Sequence, residues 1–150
     1  MKEEIKEILS GKGLGIIKFG MTRNEVIDIL GEPNEKEKDF EATGKQVETE
    51  TFHYDSCEAS FTFLRTLGWK LNSIAISSAE CEFMGKKLIG LNEEELTIEL
   101  ANIGLEDLEF EDVEQENEED EEQVIIYSKQ VSTWFWLIED ELTEIIWEAI

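Results

Sequence analysis

The sequence predicts an α+β fold of two tandem units, each a short capped helix followed by an antiparallel meander. Two helix-start patterns set 70 residues apart carry the first part of this reading. Three strand-like segments after each helix carry the second. The expected organisation is a first unit over residues 1–87, with an added N-terminal helix, and a second unit over residues 88–150, with an acidic loop at 106–122.

From the N-terminus, Lys2 to Leu9 is apolar at Ile5, Ile8 and Leu9, which predicts a short helix ahead of the first unit. The passage "GKGLGIIKFG" at 11–20 is glycine-rich, but its glycines are not followed by a lysine and hydroxyl opening a helix, so it is not a phosphate loop. Gly11, Gly13 and Gly15 read as a flexible connection. In "MTRNEVIDILGEP", Thr22 is an N-cap, Glu25 completes a capping box, and Met21 and Val26 occupy the staple positions. Arg23 to Leu30 is therefore a helix, which Gly31 closes and Pro33 keeps from resuming. Residues 47–55, 59–67 and 70–77 alternate in the period-two manner of strands, with a turn near Gly68.

The second copy begins at "LNEEELTIELANIG". Asn92 caps, Glu95 is the boxed acid, Leu91 and Leu96 form the staple, and Gly104 takes the place of Gly31 one turn later. "EQVIIYSK", "STWFWLI" and "LTEIIWEAI" then supply its meander. Aligning aromatic with aromatic sets Tyr54 opposite Tyr127, and Phe61 and Phe63 opposite Trp134 and Trp136.

Gly20, Met21, Thr22, Glu25, Val26, Leu30, Gly31 and Pro33 resemble the "GMT..EV...LG.P" signature of the beta-lactamase inhibitor protein-like repeats, shared with the small outer-membrane assembly lipoproteins. The first unit carries the signature over about residues 18–78. The second carries only its outline, since Asn92 stands for the threonine and no proline follows Gly104. What the resemblance implies is two units whose sheets join into one curved sheet, with the helices on one face and a concave protein-binding surface on the other. It implies no catalytic residue. The chain departs from the lipoproteins in showing no leader and no lipid-bearing N-terminal cysteine, and from secreted inhibitors in its cysteine usage.

The formal charge of −24 at pH 7 argues against nucleic acid and anionic membranes as ligands and favours a basic partner, a cation or mere solubility. Residues 1–75 hold 14 acidic and 10 basic side chains, whereas residues 76–150 hold 23 and 3, so the field belongs to the second half. No signal-like or membrane-length apolar run occurs, and a cytoplasmic location is expected.

Chemistry-bearing residues are few. His53 is the lone histidine, with Asp55 and Cys57 beside it, and a Cys/His enzyme would need those side chains in contact. A period-two strand puts His53 and Asp55 on one face and leaves Cys57 in a turn, which argues against catalysis. One histidine and two cysteines, Cys57 and Cys81, are too few for a structural zinc site, and no cofactor or metal is expected. The tract at 106–122 has 12 acids among 17 residues without the central glycine of a calcium loop, and its middle is expected to be an exposed or disordered loop.

The aromatics point elsewhere. In "STWFWLI" both faces of a strand are apolar, so either it lies between two layers or it presents an aromatic surface. The second option makes Tyr127, Trp134 and Trp136 interface residues, with Trp147 after them, and Phe61 and Phe63 extending the patch or lying beneath it. Glu114, Glu116, Glu118, Glu119, Asp120, Glu121 and Glu122 would either steer a basic partner to it or form only a solubilising loop. The competing reading makes the tryptophans core and covers Phe135 with a dimer partner. The sequence thus predicts a non-enzymatic binding module, an inhibitor or immunity-type protein for a basic enzyme or toxin. The alternatives are an enzyme using the Cys/His set and a homo-oligomeric structural protein.

Overall fold

The computed structural model describes residues 5–117 and 119–150. Among the described residues the fold is α+β, with two α-helices and two separate sheets. A small mixed sheet is built from β1 (Glu7–Leu9), β2 (Gly13–Leu14), β3 (Ile17–Lys18) and β8 (Glu82–Phe83), in the order β3-β2-β1-β8, with β1 and β8 parallel. The large antiparallel sheet contains β4 (Glu35–Phe40), β5 (Val47–Tyr54), β6 (Ala59–Leu64), β7 (Lys70–Ile76), β9 (Leu108–Asp112), β10 (Gln123–Ser128), β11 (Thr133–Ile138) and β12 (Glu141–Glu148). Its order is β4-β5-β6-β7-β12-β11-β10-β9, with β7 and β12 paired at its centre.

Both helices form for local reasons. In α1 (Arg23–Leu30) the Thr22 hydroxyl accepts from the Glu25 N–H at 3.2 Å, and the Glu25 carboxylate accepts from the Thr22 N–H at 3.1 Å. In α2 (Glu93–Asn102) Asn92 and Glu95 make the same reciprocal pair at 2.8 and 3.1 Å. Two otherwise orphaned N–H groups are satisfied at each helix start. Val26 of α1 and Leu96 and Leu100 of α2 are buried in the common core.

Alternation along the large sheet gives it an inner and an outer face. Phe52, Phe61, Phe63, Ile74, Ile126, Phe135, Leu137, Leu142, Ile145 and Trp147 point inward and are essentially fully buried. The small sheet packs on this same side: Phe83 meets Phe135 edge-to-face at 5.6 Å, and the Trp147 indole N–H donates to the Gly13 carbonyl at 3.1 Å. Phe135 is therefore covered by the chain itself and needs no dimer partner.

The expectation of one shared curved sheet with only helices upon it is overturned. There are two sheets, neither closed nor strongly curled. A sheet curled over helices would fill its inner side with helix alone; here Leu14, Ile17 and Phe83 of the small sheet occupy part of that space. Each meander has four strands rather than three, since β4 and β9 add the two edges.

The expected N-terminal helix also gives way. Residues 7–9 are a strand because Ile8 buries its side chain by pairing with Leu14 and Phe83, which a lone two-turn helix could not match. Residues 2–4 of that expectation lie outside the described residues. Gly11, Gly13 and Gly15 are not a flexible connection: they shape the β1–β2–β3 turns, and Gly13 is buried at φ 146°.

Candidate functional site

The outer face of the large sheet is the candidate site. Both helices and the small sheet lie on the inner side, so no described element covers it. One row of side chains crosses the sheet through the observed register: His53, Ser60, Ala75, Ile146, Trp134, Tyr127 and Glu109. A second row sets Glu144 beside Trp136, Ile125 and Glu111.

The register corrects the aromatic alignment by one residue. Phe61 pairs with Phe52 just as Phe135 pairs with Ile126, so Phe61 and Phe63 correspond to Phe135 and Leu137, not to Trp134 and Trp136. A one-residue slip moves a side chain to the opposite face of a strand. Phe61 and Phe63 are consequently core, and the outer places held by Ser60 and Thr62 in the first half are held by Trp134 and Trp136 in the second. His53 likewise corresponds to Tyr127, and Tyr54, which is buried, to Ser128.

The second half of this face is aromatic and acidic. Tyr127 and Trp134 stack with ring centroids 4.7 Å apart and planes 29° from parallel. The Trp136 indole N–H donates to the Gln123 side chain at 3.0 Å, which fixes the ring on the sheet surface. Ile125 and Ile146 fill in around these rings, and all five side chains are half-buried. Trp147, by contrast, is inside. Strands β9 to β12 contain no lysine or arginine, while Glu109, Glu111, Glu144 and Glu148 stand at or beside the patch.

Sequence reasoning missed Glu144, Ile125, Ile146, Glu109 and Glu111 as parts of this face. The alternation of "LTEIIWEAI" contained the signal for the first and third. Burial raises the Glu144 carboxyl above its ordinary range. The native protein thus holds this proton more tightly than the unfolded chain does, and stability is lost as pH rises from the ordinary glutamate range through the folded pKa. Relative to the parent, Glu144→Gln should be progressively more stable between pH 4 and pH 7. Paired urea melts at the two pH values check this; a difference that stays constant or shrinks contradicts it.

The first half of the face is polar. The His53 Nδ1 lies 2.7 Å from the Ser60 hydroxyl, and its Nε2 lies 2.9 Å from a Glu37 carboxylate oxygen. Ser60 is in mid-strand between β5 and β7, so the backbone N–H groups beside it serve the ladder rather than a developing oxyanion. The trio acts as a cross-strand hydrogen-bond chain. A shallow pocket of about 320 Å³ joins His53 and Ser60 to Ala75, Ser77 and Glu144.

The Cys/His set is not assembled. Both His53 nitrogens are engaged as above, Asp55 is exposed, and Cys57 is buried in the turn at 55–58. Burial raises the Cys57 thiol and pushes that of Cys81 up to about 11, so both are poor nucleophiles at neutral pH. Among the described residues no group of three or more His, Cys, Asp or Glu side chains could hold a metal ion.

The acidic tract is only partly a loop. Residues 108–112 are β9, and beyond it the Asp120 carboxylate accepts from the Glu116 and Asn117 N–H groups at 2.9 and 3.1 Å. Glu114, Glu116, Glu119, Asp120, Glu121 and Glu122 are exposed at the end of the aromatic half, and Glu118 lies outside the described residues. No described helix is long and apolar enough to cross a membrane.

Comparison with protein-family models, with curated proteins and with solved structures finds no match to this chain. The likeness to the inhibitor-type repeats therefore rests on the sequence signature alone.

Proposed function

We propose that this protein is a non-enzymatic binding module whose outer sheet face, around Tyr127, Trp134 and Trp136, docks a basic protein. One observation carries the reading: at equivalent places of the same sheet the first half has His53, Ser60 and Thr62, and the second has Tyr127, Trp134 and Trp136. The fold is satisfied by small polar side chains there, so the aromatics answer to something other than folding. Aromatic anchors combine large contact area with few rotatable bonds, which is why they dominate interface energetics. The carboxylates of Glu109, Glu111, Glu144 and Glu148, without a basic side chain on the same strands, select a basic partner. An inhibitor or immunity-type protein for a basic enzyme or toxin fits this chemistry, with the acids at 114–122 raising the association rate and the aromatics slowing release.

The test is paired capture from the native cell with the parent chain and with the Trp134→Ala/Trp136→Ala variant as baits. The expected result is one basic protein retained by the parent and lost from the variant, with a dissociation rate about 10–100 times faster for the variant by surface-based kinetics. Circular dichroism should show the variant folded. A folded variant that releases the partner at the parent rate, or a captured partner that is acidic, refutes the reading.

A further inference from the structure

We propose that the open edge of β9 receives a basic, extended segment of the partner as a ninth strand of the large sheet. The inference rests on the binding reading above and names the form in which the partner is recognised. Strand β9 pairs with β10 on one side only and ends the sheet. An edge of this kind presents unpaired N–H and C=O groups, and an added strand satisfies them through its own main chain.

The side chains of β9 specify what such a strand must carry. Glu109 and Glu111 share the outer face with Tyr127 and Ile125, their register partners on β10. Phe110 lies between them on the inner side and is 52% exposed, an unusual state for phenylalanine at a strand centre. Directly opposed cross-strand pairs stabilise when oppositely charged or when both are apolar. The matching segment therefore alternates basic, apolar, basic: two cations against Glu109 and Glu111, with an apolar side chain between them closing over Phe110.

The two edges of the sheet differ in a way that singles out β9. On β4, Lys36 and Lys38 alternate with Glu35, Glu37 and Asp39, and Lys36 is engaged 3.5 Å from Glu32 and 5.4 Å from the Phe52 ring centroid. Mixed charge with lysine on an edge discourages strand addition. Strand β9 has no lysine and adjoins the aromatic patch. A second copy of this chain is a poor occupant. Two β9 edges paired antiparallel in one continuous sheet and centred on Phe110 would set Glu109 opposite Glu111 twice, and a shift of register by two would set one of these acids opposite its own copy; like charges directly opposed destabilise a ladder.

The probes are a capped heptapeptide alternating arginine and valine, and the same peptide N-methylated along one edge so that it cannot complete a ladder. With the full chain, the unmodified peptide should slow hydrogen exchange of amides within 108–112, and the N-methylated peptide should not. Glu109→Lys/Glu111→Lys should weaken the peptide about tenfold or more, since two favourable pairs become repulsive. Asp28→Lys/Glu94→Lys makes the same charge change on the exposed faces of α1 and α2 and should weaken it less than about threefold. Circular dichroism on both variants confirms folding.

Equal binding of the N-methylated peptide, protection that does not reach 108–112, or equal losses in the two charge variants overturns the strand-addition proposal. So does concentration-dependent self-association that protects 108–112 without peptide. If strand addition fails while the captured partner still depends on Trp134 and Trp136, only this inference falls; if that dependence is absent too, the binding reading falls with it.

Discussion

Replacing Trp147 by alanine is expected to destabilise the protein by about 3–5 kcal/mol, the range for truncating a fully buried tryptophan. Trp147 is wholly inside, on the inner face of β12, and its indole N–H reaches the Gly13 carbonyl across the gap between the two sheets. The loss has two parts: a cavity beneath the small sheet, and a buried carbonyl deprived of this donor. Trp147→Phe separates them, because it keeps much of the apolar volume and should cost only about 1–3 kcal/mol. Since domains of this size are stable by about 5–15 kcal/mol, the alanine variant should unfold at a much lower urea concentration. Urea melts followed by circular dichroism provide the comparison. A Trp147→Ala midpoint close to that of Trp134→Ala would show that the two faces of the sheet had been assigned the wrong way round.

Gly13→Ala should be at least as damaging, for a steric rather than a packing reason. A Cβ at Gly13 would lie 2.0 Å from the Ile17 carbonyl oxygen and 2.9 Å from the Lys18 Cα, and its φ of +146° is one that L side chains rarely adopt. The obstacle is backbone, so no rotamer change relieves it, and the β2–β3 hairpin must open. Leu14 and Ile17, both fully buried, would be displaced with it. A loss above about 4 kcal/mol is expected, in the range reserved for specific structural failures. Gly20→Ala is the control: it also has positive φ, at +92°, but nothing lies within 4 Å of the added Cβ. It should show only the conformational cost of about 1–3 kcal/mol. Thermal melts of the two variants that coincide would count against the close approach at Gly13.

These variants mark the boundary between what a linear reading reaches and what it does not. Capped helices are written in adjacent residues: Thr22 with Glu25, and Asn92 with Glu95, state their own hydrogen bonds, and Gly31 ends α1 with its N–H on the Ile27 carbonyl. The interior strands are legible for a related reason, since half-burial imposes period two on β5, β6, β10 and β11. Edge strands escape because burial places little demand on them. All six residues of β4 are exposed, and the acids of β9 read as part of a solvated tract. The small sheet escapes because its strands are two or three residues long and gain their burial from partners as distant as Glu82 and Phe83.

By itself the sequence determined the two helices and their boundaries, the alternation of the inner strands, the concentration of negative charge in the second half, and the presence of one histidine and two cysteines, because each depends on neighbouring residues or on simple counts. Only the tertiary structure decided which side of β11 is buried. The residues Trp134, Phe135, Trp136 and Leu137 are apolar on both faces, so periodicity alone cannot orient the strand. The ladder with Ile126 and Ile145, and the Phe83 ring against Phe135, turn that odd-numbered pair position inward and leave both tryptophans outside. The physical reason is that a strand's face is set by its register, and register is a relation between segments far apart in the chain.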